Sequence, residues 1–285
     1  MLKQRVYTAI VLTIVFLAAL FGLPSGYFSF FIGAVVLIGA WEWANLAGFT
    51  AIWQRIAYAG LVLFLLFGAA YYLGFKGEAS PSLNQAAIQD LLVIGCSWWA
   101  LGLLLVQGYP SSAILWGNKL LRLLMGVMVL LPTWIALVYV RQQLNGAYLV
   151  LLLILVVAVA DSGGYFVGRR FGKHKLAAAV SPGKTWEGFA GGLLANVLLA
   201  SILTLVLELN WLLVLLVIVP TSLISVLGDL LESMVKRHAG VKDSGSILPG
   251  HGGILDRVDG ITAAAPVFAL ALLLSNAFAL NGVVG

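Results

Sequence analysis

The sequence predicts an all-α, polytopic membrane protein with about nine transmembrane helices and a cytoplasmic N-terminus. Of its 285 residues, 62% are hydrophobic and only 9% are charged, whereas soluble domains carry about 25% charged residues. The mean hydropathy is +1.05, and apolar runs of the roughly 20 residues needed to cross a bilayer recur along the chain. A water-soluble fold of this length could not bury so much apolar surface.

The predicted spans follow one another along the whole chain. The first run follows basic residues, as in a signal peptide, but no small-residue cleavage site comes after it, so we predict a retained helix. Tryptophan and tyrosine residues stand at the ends of many runs, which is typical of the two membrane interfaces. The approximate apolar cores are residues 6–21, 27–44, 56–73, 91–106, 120–140, 147–167, 189–207, 211–227 and 261–280.

The distribution of Lys and Arg predicts the side of the membrane that each loop occupies. With nine spans and a cytoplasmic N-terminus, only Lys76 and Arg141 of the 16 Lys and Arg residues fall outside the cytoplasm. This bias favours both the number of spans and their orientation. Two long polar loops, residues 168–188 and 230–260, are then cytoplasmic, on the side where nucleotides are found.

The acidic residues divide the chain into two unlike halves. Eight of the 11 Asp and Glu residues lie after residue 160. We therefore predict a membrane scaffold over residues 1–145 and a catalytic membrane half over residues 146–285. Glu42 is the exception in the scaffold half, and we interpret it as an interfacial residue that pairs with a Lys or Arg.

Three aspartates lie at the two ends of the loop at 230–260. Asp256 and Asp259 are three residues apart where the last span begins, so in a helix they share one face, and Asp229 follows the eighth span. Carboxylates that converge from two helix ends form an oxygen-rich site, which suits Mg²⁺ or Mn²⁺ rather than Zn²⁺. The alternative for Asp256 and Asp259 is helix capping together with pairing to Arg257.

The same loop carries groups that suit phosphate binding. Gly252 and Gly253 permit close backbone approach and expose N–H groups, and His251 beside them could bind phosphate, act as an acid or make a structural hydrogen bond. The alternative is a basic loop attracted to anionic lipid head groups, and both interpretations hold if the substrate is an anionic lipid. The basic residues of the loop are Lys236, Arg237, Lys242 and Arg257.

The loop at 168–188 repeats this combination of groups. Asp161 lies inside apolar sequence ahead of it, and Glu187 stands near its end as a candidate capping residue. A P-loop is excluded, because its first glycine would stand where the chain has Ala178. The remaining polar residues could grip a phosphate or simply begin a helix. These residues are Ser181, Lys184 and Thr185.

The later loop resembles the signature of the phosphatidate cytidylyltransferases, which are CDP-diacylglycerol synthases. The matching residues run Ser233-x-x-Lys236-Arg237, then Lys242-Asp243-x-Gly245, then Leu248-Pro249-x-His251-Gly252-Gly253-Ile254-x-Asp256-Arg257-Val258-Asp259. No position of this signature departs from the family pattern. Residues 161–174 and 181–188 also look like family features, whereas the rest of the chain resembles the family mainly in hydropathy.

The resemblance implies that CTP and phosphatidate react to give CDP-diacylglycerol and pyrophosphate. It also implies a homodimer in the bacterial inner membrane that depends on Mg²⁺, as one ion or two. By this similarity the metal would be held by Asp229, Asp256 and Asp259, and we expect catalysis by these three with Lys242 and Arg257. The expected substrate-binding residues are Ser181, Lys184, Thr185, Lys236, Arg237, His251, Gly252 and Gly253. The expected supporting residues are Asp161, Glu187, Glu232 and Asp243.

Other activities are compatible with parts of this pattern. A related lipid kinase acting on polyprenol or phytol would share the aspartates and lysines, and only the full signature argues against it. An ion-coupled transporter would spread charges through the membrane depth, whereas here the charges gather at one face. The sequence contains no nucleic-acid-binding motif, so we expect the partners to be CTP, phosphatidate, the bilayer and a second copy of the chain.

Overall fold

Ten helices and one short β-hairpin make up the described part of the chain. The structure is a computed structural model that describes residues 2–75 and 83–275. Helices supply nearly all of its secondary structure, which confirms the all-α prediction. In chain order the elements are α1 (Leu2–Gly22), α2 (Ser25–Leu46), α3 (Ile52–Tyr72), α4 (Gln85–Gln107), α5 (Ala113–Trp116), α6 (Lys119–Gln142), α7 (Gly146–Phe171), β1 (Lys175–Ala177), β2 (Ser181–Thr185), α8 (Trp186–Leu207), α9 (Trp211–His238) and α10 (Leu255–Ser275).

Every predicted span coincides with one of the long helices. Within residues 2–75 and 83–275, eight helices are long and apolar enough to cross a membrane, and α1 adds a shorter apolar run, Val6–Gly22. The prediction of a polytopic membrane protein is therefore confirmed. Residues 276–280, at the end of the ninth predicted span, lie outside the described residues, as does Lys76.

Helix α9 differs most from its predicted span, because it continues to His238 instead of ending at residue 227. Its additional turns carry Asp229, Glu232 and Lys236 at spacings of three and four residues, which place side chains on neighbouring positions of one helix face. Glu232 and Lys236 form an ion pair on this spacing. The loop predicted at 230–260 is therefore reduced to residues 239–254 between α9 and α10.

The β-hairpin and the one-turn helix α5 were absent from the sequence prediction. Strands β1 and β2 pair antiparallel, with Lys175 opposite Thr185 and Ala177 opposite Ser181. Alternation of apolar and polar residues can be read over about four to eight residues; β1 has only three, and β2, with the sequence SPGKT, shows no such alternation. The hairpin packs on α7, α8 and α9, so it covers one end of these three helices.

Glycine residues let α7 and α8 pack with their backbones in contact. A Cβ atom added at Gly192 would lie 2.5 Å from the carbonyl oxygen of Ala160, and one at Gly188 would lie 2.7 Å from that of Gly164. Small residues permit this close approach between membrane helices. The crossing brings Asp161 on α7 close to the start of α8 and to the hairpin.

Helix α10 occupies the centre of the molecule. It packs against α9, α6, α4, α7 and α2, and its Ala263, Ala264 and Phe268 side chains are fully buried. Thr133 of α6 donates a hydrogen bond of 3.0 Å to the carbonyl oxygen of Thr262 in α10. Helices from both predicted halves therefore share one core around α10.

Gly192→Ala should destabilise the protein, because the new methyl group meets the Ala160 carbonyl oxygen in the α7–α8 crossing. Overpacking of this kind costs about 1–3 kcal/mol. Gly68→Ala is the matched control, since no atom lies within 4 Å of a Cβ atom at that position. Thermal unfolding in detergent should show a lower midpoint for Gly192→Ala alone, and equal midpoints for the two variants would contradict the close crossing.

Candidate active site

A cavity of about 580 Å³ opens among α7, α8, α9 and the hairpin. Part of its wall is apolar and includes Phe189, Leu193 and Leu223. The other part combines carboxylates, hydroxyl groups, a lysine and an arginine. These polar residues are Asp161, Tyr165, Arg169, Ser181, Lys184, Thr185, Ser222 and Asp229. The cavity can therefore accommodate a phosphate group beside a hydrocarbon chain.

An ion pair joins the two sides of this polar wall. The Nζ atom of Lys184, on β2, lies 2.6 Å from Oδ2 of Asp229 on α9. The hydroxyl group of Ser233 donates a hydrogen bond of 3.0 Å to the other oxygen of Asp229. Asp161 on α7 lies within electrostatic range of both Lys184 and Asp229. The structure thus brings together residues that the sequence assigned to two separate loops.

The hairpin is tied to its surroundings at two points. Glu187 accepts hydrogen bonds from the backbone N–H groups of Lys173 (3.0 Å) and His174 (3.2 Å), and its Oε1 lies 2.6 Å from Nδ1 of His174. At the turn, Arg237 of α9 donates a hydrogen bond of 3.3 Å to the carbonyl oxygen of Val180. Glu187 and Arg237 therefore fix the wall that carries the cavity lysine.

Thr185, the last residue of β2, is the N-cap of helix α8. Its Oγ1 accepts a hydrogen bond of 3.1 Å from the N–H of Gly188, and the residue is buried. Of the two interpretations offered for this residue, phosphate binding or the start of a helix, the second is confirmed for Thr185. Its side chain caps α8 and also lines the cavity. Ser181 and Lys184 also line the cavity, and phosphate binding by these two stays a prediction.

A second ion-pair cluster lies on the α10 side of α9. The Nζ atom of Lys236 is 2.6 Å from Oδ1 of Asp256 and 3.2 Å from Oε1 of Glu232. The contact with Glu232 is an ion pair without hydrogen-bond geometry, since Oε1 is buried with no hydrogen-bond partner. Lys236 and Glu232 are only 8% and 3% exposed, so each side chain neutralises the charge of a buried partner.

Asp256 anchors the loop between α9 and α10. Its Oδ2 accepts hydrogen bonds from the N–H of Ser244 (2.9 Å), the hydroxyl group of Ser244 (3.0 Å) and the N–H of Gly253 (2.8 Å). Gly252, at φ +84°, would place a Cβ atom 2.8 Å from the same oxygen. The two glycines therefore let the loop close around this carboxylate, whose other oxygen binds Lys236.

Asp259 lies between the two ion-pair clusters. It is within electrostatic range of Asp229, Lys184 and Lys236, and its Oδ1 accepts a hydrogen bond of 2.8 Å from the adjacent N–H of Gly260. The connected charges comprise five carboxylates and two ammonium groups, so the cluster carries an excess of negative charge when all are ionised. These residues are Asp161, Lys184, Asp229, Glu232, Lys236, Asp256 and Asp259.

The donor set suits a hard divalent cation, but the three predicted ligands differ in how free their oxygens are. Both oxygens of Asp256 bind protein donors, and so do both oxygens of Asp229, whereas the one hydrogen bond described for the Asp259 carboxylate comes from the N–H beside it. In residues 2–75 and 83–275, no group of three or more His, Cys, Asp or Glu side chains could hold a metal ion. Mg²⁺ is commonly held by one or two carboxylates plus substrate phosphates. Asp229 lines the cavity and Asp259 has the freer carboxylate, so these two are the better-placed pair. Metal binding stays a prediction.

Several other predicted residues lie on or beside the loop at 239–254. Lys242, Asp243 and Arg257 are exposed, and Arg257 donates a hydrogen bond of 2.8 Å to the carbonyl oxygen of His251. The Nδ1 atom of His251 is buried without a hydrogen-bond partner in the described structure. The residues described as lining the cavity do not include these four, so their contacts with a substrate stay predictions.

The sequence analysis misjudged Glu42. Its carboxylate is fully buried and accepts hydrogen bonds from the N–H groups of Ile254 (3.0 Å) and Leu255 (2.9 Å) and from the hydroxyl group of Ser244 (3.1 Å). The interpretation as an interfacial partner of a basic residue is wrong, because Arg55 supplies only a longer-range attraction. The useful signal was the lone carboxylate in an apolar run, which by default marks a functional position.

Fold and site together define a polytopic membrane protein with a charged cavity at one end of its helices. The Cytidylyltransferase family matches residues 3–275. A phosphatidate cytidylyltransferase of Pseudomonas aeruginosa is 46% identical and covers 95% of this chain and 97% of its own. Those of Haemophilus influenzae (44% identical; 94% and 97%) and Staphylococcus saprophyticus (33% identical; 95% and 99%) match similarly. The chain belongs to the cytidylyltransferase family and is a nucleotidyltransferase, which confirms the resemblance seen in the loop signature.

Lys236→Met should destabilise the protein strongly, because it leaves the carboxylates of Glu232 and Asp256 buried without their cation. Removal of one partner from a buried ion pair costs about 3–5 kcal/mol. Lys175→Met is the matched control, since Lys175 is exposed. Denaturation in detergent should show a large loss for Lys236→Met and little change for Lys175→Met; equal stability of the two variants would contradict the structural role of Lys236.

Proposed function

We propose that this protein transfers the CMP moiety of CTP to phosphatidate, giving CDP-diacylglycerol and pyrophosphate. Relatives named phosphatidate cytidylyltransferase match it over nearly its whole length, which supports this pair of substrates. The observation that carries the proposal is the cavity, which combines the Lys184–Asp229 ion pair with an apolar wall. A lipid phosphate needs both features in one place.

The reaction needs neutralisation of charge more than it needs proton transfer. The phosphate of phosphatidate is already an anionic nucleophile near neutral pH. One of its oxygens forms a bond to the α-phosphorus of CTP, and the bond from that phosphorus to the departing pyrophosphate breaks. Positive groups reduce the repulsion between the two polyanions and align this in-line displacement. The proposal therefore includes no Ser or Cys nucleophile and no covalent intermediate.

The charged residues take different roles in this proposal. Lys184 binds a substrate phosphate, because its ammonium group belongs to the cavity wall. Asp229 and Asp259 would hold Mg²⁺, which when bound supplies positive charge to the phosphates. Asp256 and Lys236 keep the loop and the end of α9 together. Lys242, Arg257 and His251 would reach phosphates from the loop side.

The lipid substrate enters the cavity from the bilayer. Its phosphate lies at the polar wall while its acyl chains follow Phe189, Leu193 and Leu223. The outer surface of α8 is apolar at Leu194 and Leu198, which suits contact with surrounding lipid. The basic residues near this end of the helices support a cytoplasmic site, and the bacterial relatives support the inner membrane. The homodimer implied by the family resemblance belongs to the same proposal.

The position of a radioactive label in CTP separates this reaction from its alternatives. Purified protein with phosphatidate and Mg²⁺ should give labelled lipid from CTP labelled at the α-phosphorus, and labelled pyrophosphate alone from CTP labelled at the γ-phosphorus. A chelator should stop both. With polyprenol or phytol in place of phosphatidate, labelled lipid from the γ position alone would identify a lipid kinase. Full activity in the chelator would overturn the role of a metal ion.

Lys184→Met should lower kcat by about 10²-fold or more, because loss of one preorganised charge at a developing phosphate is that costly. Lys173→Met is the matched control, since Lys173 precedes the same hairpin, is exposed and contributes its backbone N–H to Glu187. The measurement is the steady-state kcat of each variant, with CTP and phosphatidate both at saturating concentrations. Equal kcat values for the two variants would remove Lys184 from the reaction.

A further inference from the structure

Glu42 connects the membrane scaffold to the loop that carries the family signature. It belongs to α2, yet its Oε1 accepts a hydrogen bond of 3.0 Å from the N–H of Ile254, and its Oε2 accepts one of 2.9 Å from the N–H of Leu255. These N–H groups stand at the start of α10, where a helix favours negative charge. A carboxylate with no exposed surface thus caps the helix that bears Asp256 and Asp259.

The loop is shaped to admit this carboxylate. A Cβ atom added at Gly245 would lie 2.5 Å from Oε1 of Glu42, and one added at Gly253 would lie 2.5 Å from Oε2. Approaches this close require glycine at both positions. Two glycines of the family signature therefore face Glu42, and the loop passes on both sides of its carboxylate.

Ser244 couples this contact to the aspartate of the site. Its hydroxyl group lies 3.1 Å from Oε2 of Glu42 and 3.0 Å from Oδ2 of Asp256. A serine hydroxyl has one proton to donate, so it serves the two carboxylates alternately while its own N–H stays bonded to Asp256. Displacement of Glu42 would therefore alter the hydrogen bonds of Asp256 directly.

We propose that Glu42 is a positioning residue for nucleotidyl transfer, which acts by holding residues 244–255 and the first turn of α10 in the geometry that the reaction needs. Residues that orient a site through a second layer of hydrogen bonds typically change activity by about 10- to 100-fold when they are replaced. The predicted effect on kcat rests on the proposed function, whereas the predicted effect on the order of the loop is independent of it.

The test uses Glu42→Gln, which keeps the side-chain size but replaces one accepting oxygen with a donor. Its matched control is Thr133→Val, because Thr133 is also buried and hydrogen-bonded to α10, at Thr262, but does not touch the loop. Loop order is read from a spin label on Ile247→Cys, an exposed loop position. Cys96 is the only cysteine of the chain, so Cys96→Ser first removes the competing thiol.

We expect Glu42→Gln to mobilise the label and to lower kcat by about 10- to 100-fold with a smaller change in KM for CTP. Thr133→Val should change neither the mobility of the label nor kcat, even if its unfolding midpoint falls as much as that of Glu42→Gln. An immobile label with unchanged kcat in folded Glu42→Gln protein would overturn the inference, as would equal losses of kcat in both variants. If the protein with Glu42 intact forms no CDP-lipid, the proposed function is refuted. A label that becomes mobile in Glu42→Gln would still support the anchoring of the loop by Glu42.

Gly245→Ala provides a second variant that leaves the carboxylate unchanged. Its methyl group would collide with Oε1 of Glu42, so the loop would have to move away from that carboxylate. Gly22→Ala is its control, since no atom lies within 4 Å of a Cβ atom there. Gly245→Ala should reproduce the mobile label and the lower kcat, and an ordered label with normal kcat in this variant would overturn the inference even if Glu42→Gln fails to fold.

Discussion

The burial of carboxylates at the end of an apolar helix bundle is the constraint on which this structure depends. An ionised carboxylate taken out of water costs far more free energy than one hydrogen bond returns, so such a group is stabilised by a cation or by several hydrogen-bond donors. Lys236 meets this need for Glu232 and Asp256, and Lys184 meets it for Asp229. The positions of α9, α10 and the hairpin follow, because only their close approach brings these partners within reach.

Hydropathy could predict the helices because the bilayer sets their length, and it could locate the acidic site because charge is rare beside apolar spans. It could not predict the hairpin, whose strands have 3 and 5 residues and are held by Glu187 and Arg237. Spacing placed Asp256 and Asp259 on one helix, but it could not show that Asp256 uses its oxygens to hold a loop. Glu42 was misinterpreted because its partner Ser244 lies 202 residues further along the chain.

The two predicted halves of the chain differ in composition but meet at the site. The C-terminal half supplies the cavity and both lysine-centred clusters, whereas the scaffold half supplies the carboxylate of Glu42 and the helices around α10. A membrane helix that carries no reacting group can therefore still determine where reacting groups lie. The same physical rule applies to both halves, since the buried carboxylate of Glu42 is held by hydrogen-bond donors and that of Glu232 by the ammonium group of Lys236.

The Lys184–Asp229 ion pair has a consequence for how ligands of opposite charge bind. Its ammonium group and its carboxylate neutralise each other at 2.6 Å. A phosphate that takes Lys184 would release a carboxylate oxygen, and a cation that takes Asp229 would release the ammonium group. If both groups bind as proposed, the two binding events would be thermodynamically linked, and by reciprocity each ligand would raise the affinity for the other by the same factor. Cooperative binding of a substrate phosphate and a metal ion would then arise from one ion pair.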